Sequence, residues 1–397
     1  MNPNLDRLQS YPFQKLSALF AGVTPNPALK PISLHIGEPK HPTPEFIKKT
    51  LADNLAGLAN YPTTLGGEGL RLAIAGWLKQ RYGLASIDPQ TEIIPVNGSR
   101  EALFAFAQAV IDPARNDAVV VCPNPFYQIY EGAALLAQAQ PQFLSNLAAN
   151  RYAYDFDELP AAVWQRTQLI YVCSPGNPTG SVMAPGQWEK LFALSDRYGF
   201  VIAADECYSE IYFEEGNAPL GALQAAQRLG RAGYPRLVVF SSLSKRSNVP
   251  GMRSGFVAGD ANILKKFLLY RTYQGCAMSP PIHMASIAAW QDEAHVVENR
   301  RLYRDKFSNA INILKPALDV ALPDAAFYLW VPTPISDTEF TRRLYQEQAV
   351  SVLPGSYLGR EVRGINPGAN RIRIALVAST AECTEAAQRI AAFAQNL

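Results

Sequence analysis

The stretch Leu237-Val-Val-Phe-Ser-Ser-Leu-Ser-Lys245 decides the fold of this chain, and Arg253 follows it eight residues later. Its apolar start, without alternating polar residues, is typical of a strand buried on both faces of a sheet. Lys245 follows that strand, and a lysine amine can form a Schiff base with an aldehyde cofactor. Ser242, Ser244 and Arg253 are candidates to hold an anionic group of that cofactor. Taken alone, the stretch is equally compatible with a solvated lysine and arginine in a serine-rich loop.

Other short apolar runs of the same kind alternate with helical segments and turns. The further strand candidates are Ile93–Val96, Val119–Cys122, Leu169–Cys173, Phe200–Ala204 and Gly255–Ala258. The helix candidates between them include Arg100–Ile111, Gln187–Tyr198 and Ala261–Tyr273. This alternation predicts an α/β fold with a mostly parallel central sheet and helices on both faces.

The pattern changes after about Pro281. A long polar helix is predicted over Asp292–Leu314, strands over Phe327–Val331 and Arg371–Leu376, and a last helix near Ser379, where Glu382 completes a capping box. We therefore predict a large α/β domain over residues 46–290 and a smaller α+β domain over residues 291–397. The N-terminal segment, residues 1–45, is predicted to join the smaller domain.

Composition excludes several classes of function. A net charge of +2 over 397 residues, without a block of Lys and Arg, predicts neither nucleic-acid binding nor membrane binding. The N-terminus lacks the apolar core of a signal peptide, so a cytoplasmic protein is expected. The five cysteines are scattered and are predicted to be free thiols. The four histidines show no ligand spacing, so no metal site is predicted.

Three further motifs follow predicted strands, where functional groups collect in open parallel sheets. Asn97-Gly-Ser-Arg-Glu101 opens a helix, and its free N–H groups favour a phosphate, although such a motif is more often a simple cap. Ser174-Pro-Gly-Asn-Pro-Thr-Gly180 is a rigid turn that would direct Asn177 outward. In Asp205-Glu-Cys-Tyr208 the aspartate needs a partner, either a cationic ligand or a structural arginine.

Together these motifs resemble the fold-type I, pyridoxal 5′-phosphate-dependent aminotransferases of class I/II. The resemblance rests on Ser174–Gly180, Asp205 with Tyr208, the Ser242–Lys245 segment with Arg253, and Asn370-Arg-Ile-Arg373. It extends from about residue 30 to the end of the chain. It implies the fold-type I architecture and pyridoxal phosphate as the cofactor.

The resemblance also implies roles for the residues of the site. Lys245 would carry the cofactor and then move a proton of the substrate, while Asp205 would pair with the pyridine nitrogen. Asn177 and Tyr208 would hydrogen-bond the 3′-oxygen of the ring. Tyr127 would stack on the ring, the alternative being a core aromatic beside Tyr130.

The remaining implied roles concern anions. Ser99, Arg100 (through backbone N–H groups at least), Ser242, Ser244 and Arg253 would bind the cofactor phosphate. Arg373 would bind the substrate α-carboxylate as a bidentate pair, with Gly37 closing over it and Asn177 beside it.

Tyr61, in Asn60-Tyr-Pro-Thr-Thr-Leu-Gly-Gly67, resembles a tyrosine that reaches the cofactor phosphate of a second subunit. That implies a homodimer with shared active sites. The chain departs from the aspartate aminotransferases at Tyr273–Met278, where those enzymes have an arginine for the distal carboxylate.

Whole segments resemble one subgroup most, the N-succinyl-L,L-diaminopimelate aminotransferases of bacterial lysine biosynthesis. These segments are Tyr11–Leu16, Gly22–Leu29, Ile36–Pro44 and Gly275–Pro281. The resemblance implies transfer of the amino group of glutamate, which becomes 2-oxoglutarate, to N-succinyl-2-amino-6-ketopimelate. The alternatives are an aspartate or other amino-acid aminotransferase, a β-lyase with the same cofactor, and a non-enzymatic regulator that binds pyridoxal phosphate.

Overall fold

The computed structural model describes all 397 residues of the chain. The strands are β1 (Ile32–Ser33), β2 (Ile93–Val96), β3 (Val119–Asn124), β4 (Gln140–Ser145), β5 (Thr167–Cys173), β6 (Val201–Asp205), β7 (Leu237–Ser242), β8 (Gly255–Gly259), β9 (Tyr328–Pro332), β10 (Val350–Ser351), β11 (Leu353–Pro354) and β12 (Arg371–Ala375).

The helices surround these strands and form most of the outer layers. They are α1 (Pro12–Leu19), α2 (Glu45–Asp53), α3 (Glu68–Tyr82), α4 (Ser99–Val110), α5 (Ile129–Leu136), α6 (Ala161–Trp164), α7 (Pro185–Tyr198), α8 (Ala222–Arg228), α9 (Leu243–Arg246), α10 (Ala261–Gln274), α11 (Pro280–Gln291), α12 (Ala294–Leu314), α13 (Asp337–Gln348) and α14 (Thr380–Gln395). Six short 3₁₀ helices cover Pro3–Arg7, Leu55–Ala59, Ala148–Asn150, Phe156–Glu158, Pro250–Met252 and Gly355–Leu358.

The central sheet has seven strands in the order β2-β8-β7-β6-β5-β3-β4. β8 is the only strand that runs antiparallel to the other six, so the predicted mostly parallel α/β fold is confirmed. The predicted strands are present, with ends that differ by one or two residues. The edge strand β4 was not predicted, because it is only partly buried and lacks a continuous apolar run.

Alternate residues of the sheet strands enter two large hydrophobic cores, one on each face. In β3, for example, Val119 and Val121 pack in one core, and Val120 and Cys122 pack in the other. This two-sided burial explains why the central strands are apolar without alternation. The polar groups at the strand ends therefore face the loops, where a ligand can reach them.

A third core joins the two ends of the chain. Ile32 and Leu34 pack with side chains of α12, β9, β12 and α14, and β1 pairs in parallel with β10. A second sheet, β11-β12-β9, is antiparallel. The Ser379–Glu382 capping box at α14 is present as predicted. The domain limits at residues 45 and 290 remain a prediction.

None of the fourteen helices combines the length and apolar character of a membrane span. All five cysteines are free thiols. No group of three or more His, Cys, Asp and Glu side chains is arranged to hold a metal ion.

Candidate active site

A cleft of about 310 Å³ opens where the carboxyl ends of the central strands meet β12 and the N-terminal segment. Twelve of the thirteen predicted site residues line it. They are Gly37, Ser99, Arg100, Tyr127, Asn177, Asp205, Tyr208, Ser242, Ser244, Lys245, Arg253 and Arg373. The thirteenth, Tyr61, lies outside this cleft and is fully exposed.

Lys245 lies in the short helix α9, directly after β7. Its Nζ donates a hydrogen bond of 2.5 Å to the carbonyl oxygen of Gly37. Burial, together with the positive charges of Arg373 and Arg253, lowers the pKa of Lys245 to about 8. A substantial fraction of this amine is therefore neutral near physiological pH and available as a nucleophile or a base.

Asp205 is the last residue of β6 and is buried at the base of the cleft. It accepts a hydrogen bond of 2.7 Å from Tyr130 Oη and one of 3.2 Å from the backbone N–H of Cys207. Burial raises the pKa of Asp205, while these hydrogen bonds oppose the rise. No arginine or lysine pairs with the carboxylate, so a cationic ring nitrogen would supply the missing charge. Tyr130 was predicted only as a core aromatic, because its sequence gives no sign of this contact.

The N-terminus of α4 forms an anion cradle beside β7. Gly98 precedes this helix with φ of 93°, and a Cβ there would collide with the Arg253 guanidinium. Glycine is therefore required for the close approach of backbone and arginine. Arg253 also donates 2.7 Å to Glu101, and the Ser242 and Ser244 hydroxyls lie 2.9 Å apart. The helix N–H groups, hydroxyls and guanidinium together suit a phosphate.

The aromatic and amide groups of the cleft are coupled to each other. Tyr208 and Tyr328 share a hydrogen bond of 2.9 Å between their hydroxyls, and burial raises the pKa of both. Asn177 Oδ1 accepts 2.9 Å from Arg373, so its Nδ2 remains available as a donor. Tyr328 was not predicted, because β9 offers only an apolar run with no polar motif.

Arg373 is a buried cation without an acidic partner. Its guanidinium donates 2.9 Å to Asn177 Oδ1 and 2.9 Å to the His35 carbonyl oxygen, and its Nε has no partner. It also lies over the Tyr328 ring, 4.5 Å from the centroid. A Cβ on Gly37 would collide with the Tyr328 hydroxyl, so this wall of the cleft needs a glycine. The fork is thus held in place, and its planar donors suit a carboxylate.

Arg100, predicted to act through its backbone N–H groups at least, also contributes its side chain to the cleft. Its side chain enters the cleft, donates 2.8 Å to Tyr11 Oη, and lies over the rings of Tyr11 and Tyr127. Tyr11 lines the cleft as well and was not predicted as a site residue. It belongs to the Tyr11–Leu16 segment, whose resemblance to one subgroup was the only signal in the sequence.

Comparison with known proteins identifies the family. The family model "Aminotransferase class I and II" matches residues 30–390. The chain belongs to this family. It is 34% identical over 366 residues to an LL-diaminopimelate aminotransferase of Nitratidesulfovibrio vulgaris. This alignment covers 91% of the chain and 90% of the relative.

Solved structures agree with the family. A crystal structure of an aminotransferase from Neisseria meningitidis has a TM-score of 0.96 and 52% identity, and covers 99% of both chains. A probable N-succinyldiaminopimelate aminotransferase from Thermus thermophilus has a TM-score of 0.84 and 27% identity, and covers 96% of this chain and 100% of its own. The predicted fold-type I architecture is therefore confirmed.

Aminotransferases of this family depend on pyridoxal 5′-phosphate, and the residues of the cleft fit this cofactor. Lys245 supplies a buried amine of lowered pKa, Asp205 a buried carboxylate without a cation, and the α4 cradle an anion site. When bound, the cofactor supplies an electron sink for the electrons left at the substrate carbon after proton removal.

A second cavity of about 530 Å³ adjoins the cleft on the same strand. Arg371 lines it and lies over the Tyr152 ring, 5.5 Å from the centroid. Arg371 lies two residues before Arg373 on the same strand and shares its face, yet only Arg373 enters the active-site cleft.

Proposed function

We propose that this aminotransferase transfers the amino group of L-glutamate to N-succinyl-2-amino-6-ketopimelate. The product would be N-succinyl-L,L-2,6-diaminopimelate, a precursor in lysine and diaminopimelate biosynthesis. The name of the Thermus thermophilus neighbour supports this substrate, and the names of the curated relatives support its unsuccinylated form.

The charge distribution in the cleft is the observation that carries the proposal. Its lining includes the cations Arg100, Lys245, Arg253 and Arg373 but only two carboxylates. Glu101 pairs with Arg253, and Asp205 is bonded by Tyr130 at the base. A free distal ammonium group would therefore meet no available carboxylate, whereas a succinylated nitrogen carries no charge.

Arg100 is the cation that remains for the far end of such a substrate. Arg100 is exposed, and its guanidinium forms no ion pair and has one hydrogen bond, to Tyr11. An acceptor that is anionic at both ends could place its α-carboxylate at Arg373 and a distal carboxylate at Arg100. Arginine pairs well with carboxylates in both positions because of its planar fork of donors.

The remaining residues would divide the chemistry between them. Lys245, with a pKa near 8, would accept and return the α proton of the substrate. Asp205 would keep the ring nitrogen of the cofactor protonated. Asn177 and Tyr208 would donate to the ring oxygen, and Tyr127 would cover the ring face.

We also propose that the enzyme is a homodimer with shared active sites. Three large side chains have high relative solvent exposure: Tyr61 (103%), Tyr273 (88%) and Leu58 (66%). The loop of Tyr61 and the end of α10 are adjacent, since Thr64 and Thr272 share a hydrogen bond of 2.9 Å. Large exposed apolar side chains grouped in this way suit an interface between subunits.

The second candidate substrate is L,L-diaminopimelate itself, on the basis of the curated relatives. The reverse reaction distinguishes the two, with N-succinyl-L,L-diaminopimelate or L,L-diaminopimelate as the amino donor and 2-oxoglutarate as the acceptor. We expect kcat/KM to favour the succinylated donor by about 10-fold or more, which corresponds to about 1.4 kcal/mol. Equal or better use of L,L-diaminopimelate would overturn the assignment of the succinylated substrate.

A matched variant tests the role of Arg100. Arg100→Gln keeps the backbone N–H groups and removes only the side-chain charge. It should lower kcat/KM for the succinylated donor while the half-reaction with glutamate, measured by cofactor absorbance, stays near wild type. Equal losses with both donors would mean that Arg100 acts through the cofactor instead.

A further inference from the structure

Lys306, on α12, is a buried lysine outside the active-site cleft, with a relative exposure of 1%. Its Nζ faces His41 Nε2 at 2.6 Å and donates to the Val377 carbonyl oxygen at 3.4 Å. The ammonium also lies over the Tyr303 ring, 5.1 Å from the centroid. No carboxylate pairs with it, and the nearby Glu382 carboxylate instead accepts hydrogen bonds from Ser379 at the start of α14. Lysines are rarely buried without a paired charge, so this arrangement is costly to maintain.

The hydrogen bonds around His41 determine where its proton lies. Asn299 Nδ2 lies 3.3 Å from the carbonyl oxygen of Lys245, which can only accept. Asn299 Oδ1 therefore faces His41 Nδ1, at 2.7 Å, and also accepts 3.1 Å from Asn248. Since Oδ1 only accepts, His41 must carry its proton on Nδ1. Its Nε2 is then the acceptor for Lys306.

A continuous chain of hydrogen bonds thus runs from Lys306 through His41 and Asn299 to the backbone of Lys245. Burial lowers the pKa of His41 to about 4, so its ring is neutral at physiological pH, as this chain requires. Burial also lowers the pKa of Lys306, to about 8. At the other end of this series of hydrogen bonds, Lys306 donates to the Val377 carbonyl oxygen. Val377 lies two residues after β12, the strand that carries Arg373.

The N-terminal segment contacts the Lys245 turn at three points. Gly37 accepts from Lys245 Nζ, and His41 reaches the Lys245 carbonyl group through Asn299. Thr43 donates 2.9 Å to the Asn248 carbonyl oxygen. His41 and Thr43 belong to the Ile36–Pro44 segment, whose residues beyond Gly37 have no part in the cleft chemistry.

We propose that Lys306, His41 and Asn299 form a positioning relay, which fixes the backbone of Lys245 relative to the strand that carries Arg373. The relay acts through Lys245 and touches neither substrate nor cofactor. It rests on the proposed role of Lys245, which the Lys245→Ala variant tests separately. Displacement of a reacting group by 1 Å can cost on the order of 100-fold in rate, so the relay would affect the reaction without a direct contact.

The first test replaces Lys306 by methionine in the holoenzyme, with Lys315→Met, an exposed lysine just after α12, as the control. We expect Lys306→Met to bind the cofactor but to slow the half-reaction with glutamate by on the order of 10- to 100-fold, with little change in the KM for glutamate. The midpoint of the pH titration of the cofactor absorbance should also rise, because looser packing lets water stabilise the protonated form of the Schiff base that Lys245 would make with the cofactor. Lys315→Met should match wild type in both measurements.

The second test uses Asn299→Asp, which keeps the acceptors for His41 and Asn248 but loses the donor to Lys245. Aspartate has nearly the same size and shape as asparagine and leaves Lys306 in place, so the variant remains informative if Lys306→Met does not fold. We expect the same slower half-reaction and shifted titration. A folded Asn299→Asp enzyme with wild-type half-reaction and titration would overturn the relay, as would a Lys306→Met variant that changes only thermal stability.

Discussion

Replacing Arg373 by alanine tests how the enzyme holds the α-carboxylate of its substrates. Arg373 is 4% exposed, and its guanidinium donates hydrogen bonds to Asn177 and to the His35 carbonyl oxygen but pairs with no carboxylate of the protein. A substrate carboxylate in this site would lose its desolvated partner when the side chain is truncated. Truncation of one partner of such a pair costs about 2–5 kcal/mol. At 1.4 kcal/mol per factor of ten, kcat/KM for glutamate should fall by about 30-fold to about 4,000-fold.

The assay follows the cofactor absorbance in single-turnover reactions with glutamate and with the keto-acid acceptor, and both should lose activity. Arg371→Ala is the matched control, because Arg371 shares the strand face but lines the adjoining cavity. Arg373→Ala should also raise the pKa of Lys245, since the charge of Arg373 helps to lower it. Equal losses in the two alanine variants would refute the reasoning, because they would trace the effect to the strand and not to the carboxylate.

Four further outcomes are expected. Lys245→Ala should lose at least about 10²–10⁴-fold in turnover, and near-normal turnover would exclude its proposed role. Asp205→Asn should retain the cofactor but raise the activation free energy of the glutamate half-reaction by about 3–5 kcal/mol, because the ring nitrogen would lose its buried charge partner. Equal losses in cofactor affinity and in rate would indicate a structural residue. Capture of added cofactor by the cofactor-free protein should rise with pH and level off above about 8, as the pKa of Lys245 requires; a rise that continues to pH 10 would contradict this. Relative to Lys306→Met, wild type should gain unfolding free energy between about pH 8 and 10.5, because the unfolded chain then binds more protons than the folded one; urea unfolding at both ends of this range measures the difference.

The sequence predicted the central sheet well because its strands are buried on both faces and leave a continuous apolar pattern. It also predicted most of the cleft, since Asn177, Asp205 and Lys245 each lie at the end of such a strand or within four residues after it. Residues at the ends of neighbouring parallel strands come together whatever the details of the loops. This is why short local motifs were sufficient for that part of the site.

The contacts that the sequence did not predict join residues far apart in the chain. Tyr11 pairs with Arg100, Tyr328 with Tyr208, and Lys306 with His41. None of these residues has a local pattern that differs from a core aromatic or a surface charge. Their partners are determined by how the chain ends pack against the central sheet, and no local pattern reports that packing.

The cleft carries more positive charge than its own carboxylates can balance, and this excess connects stability to function. Arg373 and Lys245 lie in it without acidic partners, and mutual repulsion contributes to the low pKa of Lys245. The two chain ends pack into the third core around β12, and the apolar surface buried there helps to offset the free energy that this repulsion costs. A bound phosphate and a bound carboxylate would each reduce the repulsion, so the folded state should be stabilised by the same anions that the reaction uses. The features that make this site costly to fold are therefore those that, under the proposed function, would favour substrates anionic at both ends.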